Sequence, residues 1–193
     1  PIRKLTGEYG FNQTFFTDAR ISDTCLIGKE GEGWKVAMAT LAFERGAIGG
    51  QAGGHSMMSK EVAEVVTLAR NAQRRPAIED PHIRDGLVQL IMEERGQVLN
   101  SARARINALN VERPASIAMS GKLAGSEYQR RVNQFALSLQ GANAAYYVGD
   151  DLAYDRGLWQ RSYLNAFSAT IGGGTSEIQH NIIGERVLGL PKS

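Results

Sequence analysis

Glu44 stands out among the acidic residues because the residues at helical spacing from it are mostly apolar. Its neighbours three and four positions away are Thr40, Leu41, Ala47 and Ile48. A carboxylate on such a surface loses hydration, which raises its pKa and suits a general base that works near neutral pH. An ion pair with Arg45 or another basic group is the alternative interpretation.

A second candidate is the segment 172–179, which reads Gly-Gly-Gly-Thr-Ser-Glu-Ile-Gln. It is a flexible turn leading into a helix, where free backbone N–H groups can bind an anion or a carbonyl oxygen. No Gly-Lys-Ser/Thr follows, so the segment is not a nucleotide-binding P-loop. Ser176 and Gln179 fit a capping box, and a capped helix start is therefore the simpler interpretation.

Glycine is the unusual residue of the composition, with 22 of 193 positions. This is about 8 more than a usual share of ~7% gives. Five glycines lie between Gly46 and Gly54, and three more form Gly172–Gly174. A glycine inside a helix costs about 1 kcal/mol relative to alanine. The first cluster therefore needs either close helix packing or a ligand that occupies the space, and the sequence leaves both open.

Several function classes are excluded by composition. The net charge is +2, too balanced for a protein that binds nucleic acid or a membrane surface through charge. The longest apolar run, Val36–Phe43, is far shorter than a membrane span. Cys25 is the single cysteine, which we expect to be a small buried residue rather than a nucleophile. The three histidines, His55, His82 and His180, have no ligand-like spacing, so no metal site is predicted.

The hydrophobic pattern predicts an all-α fold, an antiparallel four-helix bundle preceded by one or two strands. Phe, Thr and Ile in Phe11–Ile21 favour a strand. Asp80 before Pro81 predicts a capped helix start, and Gly189 before Pro191 predicts a helix end. The predicted helices cover residues 33–73, 81–110, 114–139, 158–169 and 176–188.

Three segments are similar to one known family. They are Phe11–Gly28 with Gly31–Trp34, Leu41–Gly46, and Gly172–Pro191, of which the last is long and specific. Together they resemble the C-terminal part of acyl-CoA dehydrogenases, flavoproteins that desaturate acyl-CoA thioesters. The resemblance implies that residues 1–30 end a middle β-barrel domain and that residues 31–193 form the C-terminal helical bundle.

The resemblance also implies a reaction. A glutamate removes a proton from the α-carbon while a hydride leaves the β-carbon for FAD, which gives a trans-2-enoyl-CoA. Most family members have this glutamate where the present chain has Gly173. A smaller branch, which includes isovaleryl- and long-chain-type enzymes, has it on the pocket helix, at the position of Glu44. The resemblance therefore identifies Glu44 as the base and Arg45, Gly173 and Gly174 as substrate-binding residues, with the Gly173 N–H on the thioester carbonyl.

The FAD-binding residues are implied in the same way. Thr175 and Glu177 match signature positions that contact FAD, and Arg70 matches an arginine that binds the FAD phosphates. Gln140 and Gly141 match a flavin loop, although two of its glycines are missing and Ser138 replaces its glutamine. The Arg70 segment also lacks the family's Phe-Gly. These departures resemble actinobacterial-type members, some of which work as heteromeric pairs with split or lost flavin sites.

The prediction is thus an FAD-dependent acyl-CoA dehydrogenase, with a non-catalytic or half-site partner subunit as the alternative and a flavin oxidase as a weaker one. The expected partners are an acyl-CoA substrate, electron-transfer flavoprotein and further subunits, in a homo- or hetero-oligomeric dimer or tetramer that associates through the bundle. A bacterial cytoplasmic location is expected. Family members are about twice this length, so the chain is expected to be a fragment that neither retains FAD nor turns over alone.

Overall fold

The computed structural model describes residues 1–41, 55–71, 75–109 and 120–192. A short hairpin comes first and helices follow it. The elements are β1 (Ile2–Arg3), β2 (Tyr9–Phe11), α1 (33–41), α2 (His55–Asn71), α3 (Pro81–Arg103), α4 (Gly121–Ser138), α5 (Leu158–Ile171) and α6 (Ser176–Ile182). A π-helical turn, Ile183–Val187, extends α6. The predicted helical bundle with preceding strands is confirmed. The division into domains at residue 30 stays a prediction.

Helix α4 is the centre of the bundle and packs against α2, α3, α5 and α6. Its side chains Tyr128, Val132 and Ala136 are completely buried. Val65 and Leu68 of α2 belong to the same core. Burying an aliphatic side chain of this size stabilises a fold by roughly 1.5–3 kcal/mol, so this shared apolar face holds the helices together.

The contact between α3 and α4 requires a glycine. A Cβ atom built on Gly86 would lie 2.6 Å from Cε2 of Phe135. No such approach is tolerated between carbon atoms, so Gly86 lets the Phe135 ring pack directly against the backbone of α3. Close helix packing therefore explains a helical glycine here. The cluster Gly46–Gly54 lies outside the described residues.

The start of α3 agrees with the sequence pattern. The Asp80 carboxylate accepts a hydrogen bond of 2.8 Å from the backbone N–H of His82, and Pro81 is the first helical residue. This cap satisfies one N–H that has no partner within the helix. The helix ends at Arg103, earlier than the predicted residue 110, and short turns follow it.

The strand predicted over Phe11–Ile21 is wrong beyond Phe11. The antiparallel pairing of β1 and β2 places Ile2 opposite Phe11 and Arg3 opposite Tyr9. Because β1 is only two residues long, β2 loses its partner after Phe11. No strand includes residues 12–22 in this structure. Strand propensity without a neighbouring strand leaves backbone groups unpaired, and the segment is irregular.

Two polar contacts attach the hairpin to the bundle. Arg161 of α5 donates from Nε to the Glu8 carboxylate at 2.7 Å. The Tyr147 hydroxyl donates to the backbone oxygen of Thr6 at 2.8 Å. Lys4 and Arg161 lower the pKa of the Glu8 carboxyl, with the hydrogen bond from Lys4 as the largest cause. The hairpin thus has a defined position against α5.

Candidate active site

The glycine turn, which we define as residues 172–175, connects α5 to α6. Its two middle residues have left-handed backbone conformations, with φ of 69° at Gly173 and 98° at Gly174. Residues with a side chain rarely adopt these angles. A Cβ atom at Gly174 would also lie 2.9 Å from Nε2 of Gln179. The turn therefore depends on glycine for its conformation, and a side chain at position 174 would also displace the Gln179 amide.

The N–H of Gly173 is available to a ligand. On its upstream side, the N–H of Gly172 donates to the Ser168 carbonyl at 2.8 Å. Within the described part of the chain, the N–H of Gly173 donates to no acceptor. A backbone donor in this position can bind a carbonyl oxygen on which negative charge develops.

The helix after the turn is capped by a residue that the sequence pattern did not indicate. The Thr175 hydroxyl, rather than Ser176, accepts from the backbone N–H of Ile178 at 3.3 Å. The Gln179 side chain does not return to a cap residue but donates to the Gly173 carbonyl at 2.8 Å. The predicted capping box of Ser176 and Gln179 is therefore wrong. Both side chains are used to hold the turn and its helix in place.

Two residues of α4 hold the turn and the helix that follows it, and neither is predicted from the sequence. The ammonium group of Lys122 donates to the carbonyl oxygen of Gly174 at 2.6 Å. The Ser176 hydroxyl donates to the Glu127 carboxylate at 2.6 Å. Both contacts join residues about fifty positions apart, so no local pattern could have indicated them.

The surroundings lower the pKa of both residues, which disfavours the charge on Lys122 and favours the charge on Glu127. Lys122 is only 9% exposed, and its burial lowers the pKa of its ammonium group. The nearby Glu127 carboxylate partly opposes that shift. The hydrogen bond from Ser176, helped by Arg130, lowers the pKa of Glu127. Glu127 is thus a carboxylate near neutral pH, paired with groups from its own helix and from α6.

Two of the predicted FAD residues lie at the turn. Thr175 ends the turn, and Glu177 is exposed in the first turn of α6. The backbone N–H of Glu177 and the Thr175 hydroxyl lower the pKa of the Glu177 carboxyl. Both side chains are therefore close to Gly173 and Gly174, as the signature segment requires.

The other predicted FAD residues lie on different elements. Arg70 is exposed at the end of α2. Gly141 is exposed, with open space around the position of a Cβ atom. Gln140 is buried, and its amide oxygen accepts from Nε2 of Gln160 at 2.9 Å. No hydrogen bond or ion pair of the described residues links Arg70 or Gln140 to the glycine turn.

The predicted base Glu44 and its neighbour Arg45 lie outside the described residues. A different carboxyl has a raised pKa within them. Burial and the neighbouring Glu64 carboxylate raise the pKa of Glu61, on α2, to about 7. The Glu61 carboxylate also contributes to the raised pKa of Tyr128, of which burial is the chief cause. The bundle therefore contains an ionisable carboxyl group that titrates near neutrality.

Cys25 is exposed, so the prediction that it is buried is wrong; it lies in a short 3₁₀ turn rather than in the bundle. Across residues 1–41, 55–71, 75–109 and 120–192, no group of acidic, His and Cys side chains has the arrangement of a metal site. Over the same residues, every helix is too short or too polar to cross a lipid bilayer.

Comparisons with known proteins agree with this architecture. Residues 31–188 match the family model described as "Acyl-CoA dehydrogenase, C-terminal domain". Over its whole length, the chain is 39% identical to the acyl-CoA dehydrogenase IpdE1 of Mycolicibacterium smegmatis, of which it covers 45%. The chain thus spans about half the length of this relative.

Two solved structures show the same fold. The Tcur3481-Tcur3483 steroid ACAD superposes on the whole chain with a TM-score of 0.79 and 22% identity, over 48% of its own length. An FAD complex of PigA superposes on 91% of the chain with a TM-score of 0.69 and 21% identity. The match covers 43% of the length of PigA.

Proposed function

Because the chain belongs to the acyl-CoA dehydrogenase family, in which residues 31–188 correspond to the C-terminal domain, we propose that it is part of an enzyme that converts an acyl-CoA thioester to a trans-2-enoyl-CoA. The glycine turn is the observation that best supports this proposal. Its Gly173 N–H has no acceptor among the described residues. Two hydrogen bonds hold the turn that presents it, and a third holds the adjacent Ser176.

In the proposed reaction, the Gly173 N–H donates to the carbonyl oxygen of the thioester. Removal of the α-proton moves negative charge onto that oxygen, so a donor in a defined position stabilises the transition state more than the substrate. No side chain is needed for this role, and the glycine at position 173 is compatible with it.

Glu44 is the proposed base that takes the α-proton. Residue 173 is a glycine and has no carboxylate, so the base lies elsewhere in the chain. The apolar helical neighbours of Glu44 favour a raised pKa, as general-base catalysis requires.

FAD is the cofactor of the family and, when bound, accepts the hydride from the β-carbon. Three of the predicted residues fit a cofactor with phosphates and hydroxyl groups. Arg70 is an exposed cation for phosphate, while Thr175 and Glu177 present oxygen atoms beside the turn. Gly141 leaves room for a ligand. Gln140 does not fit in the described conformation, because its side chain is buried and its oxygen accepts from Gln160.

The assignment of the base is tested by Glu44→Gln in the full-length enzyme. We expect bleaching of the flavin absorbance by acyl-CoA to slow by orders of magnitude, because the amide cannot accept the α-proton. Glu79→Gln, which changes an exposed glutamate in a 3₁₀ turn, is the matched control and should reduce flavin at the normal rate. Undiminished bleaching in Glu44→Gln would exclude Glu44 as the base.

A bulky acyl group is the proposed substrate class. The five glycines just after Glu44 remove side-chain volume from the predicted pocket helix, which suits branched, long or polycyclic chains. The similar fold of a steroid ACAD supports the polycyclic class. A panel of acyl-CoA thioesters tests this, and a strict preference for butyryl-CoA would contradict it.

The second candidate function is that of a half-site or non-catalytic subunit in a heteromeric dehydrogenase. The inward orientation of Gln140 and the missing flavin-loop glycines favour it, and the steroid ACAD with the same fold is named for two proteins. The flavin content of the purified homomer distinguishes the two. A colourless, inactive homomer that gains flavin and activity with a second subunit supports this candidate.

The remaining partners stay predictions. We propose electron-transfer flavoprotein as the acceptor and an oligomer formed through the helical bundle. A cytoplasmic location is proposed by analogy with the bacterial relatives. Hydrogen peroxide formation in place of electron transfer would instead indicate a flavin oxidase.

A further inference from the structure

Three side-chain hydrogen bonds hold the glycine turn and the residue that follows it. The Gly173 carbonyl accepts from Gln179, the Gly174 carbonyl accepts from Lys122, and Ser176 donates to Glu127. Gln179 belongs to the same short helix as Ser176, whereas Lys122 and Glu127 both belong to α4. Helix α4 thus contacts the turn and the helix that follows it.

Such contacts matter because the turn has little conformational preference of its own. Two consecutive glycines can adopt left- and right-handed conformations at similar cost. A glycine N–H with this freedom would point in several directions and would not form a defined donor. The hydrogen bonds to the carbonyls of Gly173 and Gly174 fix the two peptide planes that follow the N–H of Gly173. This restricts the rotation of the preceding plane and thereby the direction of that N–H.

Lys122 is suited to this task by its environment as well as its distance. Its side chain is 9% exposed, and the contact with the Gly174 oxygen is 2.6 Å. A hydrogen bond from an ammonium group in a partly desolvated site is stronger than one between neutral groups. The Glu127 carboxylate, on the same helix, stabilises the charged form of this ammonium group.

We propose that Lys122 and Glu127 are positioning residues that set the direction of the Gly173 N–H toward the substrate carbonyl. Neither residue touches the reacting atoms; each acts through the turn or through Ser176. The inference rests on the proposed function, because it assigns a purpose to the geometry of a donor that the proposed reaction uses.

The test is Lys122→Met in the full-length enzyme with its cofactor, beside Lys122→Arg and the control Lys60→Met. Lys60 is an exposed lysine of α2 whose side chain is 75% accessible and pairs with Glu64. Three quantities are measured on each protein. Amide hydrogen exchange of residues 172–178 is followed without substrate. The rate of flavin reduction and the dissociation constant of the acyl-CoA are then determined separately.

In Lys122→Met, we expect faster exchange in the turn and a reduction rate lowered roughly 10- to 100-fold, because a misdirected donor loses transition-state contacts. The dissociation constant should change only a few-fold, since the contact strengthens mainly in the transition state. Lys122→Arg should recover much of the rate, and Lys60→Met should behave as the unmodified enzyme.

A normal reduction rate in a folded Lys122→Met enzyme with a loosened turn would overturn the proposal while leaving the proposed function intact. A wild-type enzyme that never reduces its flavin would instead refute the proposed function. If Lys122→Met does not fold, Ser176→Ala removes only the hydroxyl bound to Glu127 and replaces it in the test. Unchanged exchange and rate in Ser176→Ala would then overturn the proposal.

Discussion

The ammonium nitrogen of Lys122 lies 2.6 Å from the carbonyl oxygen of Gly174, although 52 positions separate the two residues. Lys122 is near the start of α4, and Gly174 is in the turn before α6. The central helix of the bundle therefore fixes the backbone that we assign to substrate binding. Packing of the bundle and geometry of the candidate site depend on the same helix.

Gly157 should be much less tolerant of alanine than Gly189. Both have left-handed conformations, with φ of 76° and 73°. A Cβ atom at Gly157 would lie 2.6 Å from the backbone nitrogen of Val148, whereas Gly189 has open space. We expect Gly189→Ala to cost about 1–2 kcal/mol in the free energy of unfolding from conformation alone. Gly157→Ala should cost about 1–3 kcal/mol more. Urea unfolding measures both variants. Equal losses of unfolding free energy would contradict the close approach of the Val148 backbone to Gly157.

Tyr128→Phe should leave the stability unchanged or increase it by about 1 kcal/mol. The Tyr128 hydroxyl is buried and has no hydrogen-bond partner in the described part of the chain. Removing a buried polar atom that has no partner relieves a desolvation cost. Val132→Ala, one turn along the same helix, is the control and should lose about 2 kcal/mol through a core cavity. Thermal and urea unfolding measure both, and a loss above about 1 kcal/mol in Tyr128→Phe would show that the hydroxyl is bonded.

Glu61 should make the bundle less stable as pH rises from about 4.5 to about 7. Its pKa is about 7 in the folded state against an ordinary value of 4.5, so the folded chain binds more protons across this window. The contribution of the neutral Glu61 carboxyl to the free energy of unfolding is complete below pH 4.5. It is lost as the pH rises through the folded-state pKa of about 7. Because Glu61 is partly exposed, the loss is on the order of 1 kcal/mol.

Glu61→Gln removes this dependence and should exceed the unmodified chain in stability at pH 8 but not at pH 4.5. Glu79→Gln, at an exposed position, should show no such difference. Unfolding curves at the two pH values provide the measurement. If Glu61→Gln differed from the unmodified chain by the same free energy of unfolding at both pH values, the Glu61 carboxyl would not titrate between them.

The 193-residue chain alone should not retain FAD. It covers 45% of the length of its M. smegmatis relative, and the predicted FAD residues lie at three separate places, with Gln140 buried. Residues so dispersed make few contacts with one ligand, which leaves little affinity after the entropy of binding is lost. Gel filtration of the chain with FAD, followed by the flavin absorbance of the protein peak, tests this. A yellow protein peak would show that these residues suffice.

Helical spacing of apolar residues is a local property, and it was enough to predict the bundle. The cap at Asp80 and the glycine turn before Thr175 followed from residue types whose conformational preferences are strong in any context. The signature segment 172–191 likewise indicated the family, which the match over residues 31–188 confirms. The strand over Phe11–Ile21 failed because pairing, unlike helix formation, needs a neighbour that composition does not supply.

The contacts that hold the glycine turn could not be predicted from local patterns. Lys122, Glu127 and Ser176 are ordinary polar residues in the sequence, and each acquires its role from a partner in another element. The inward orientation of Gln140 toward Gln160 has the same origin. Local patterns thus specify helices, turns and the cap at Asp80, because those depend on near neighbours along the chain. Which backbone atoms are fixed and which side chains are buried depends on how the helices pack, since α4 contacts residues about fifty positions away.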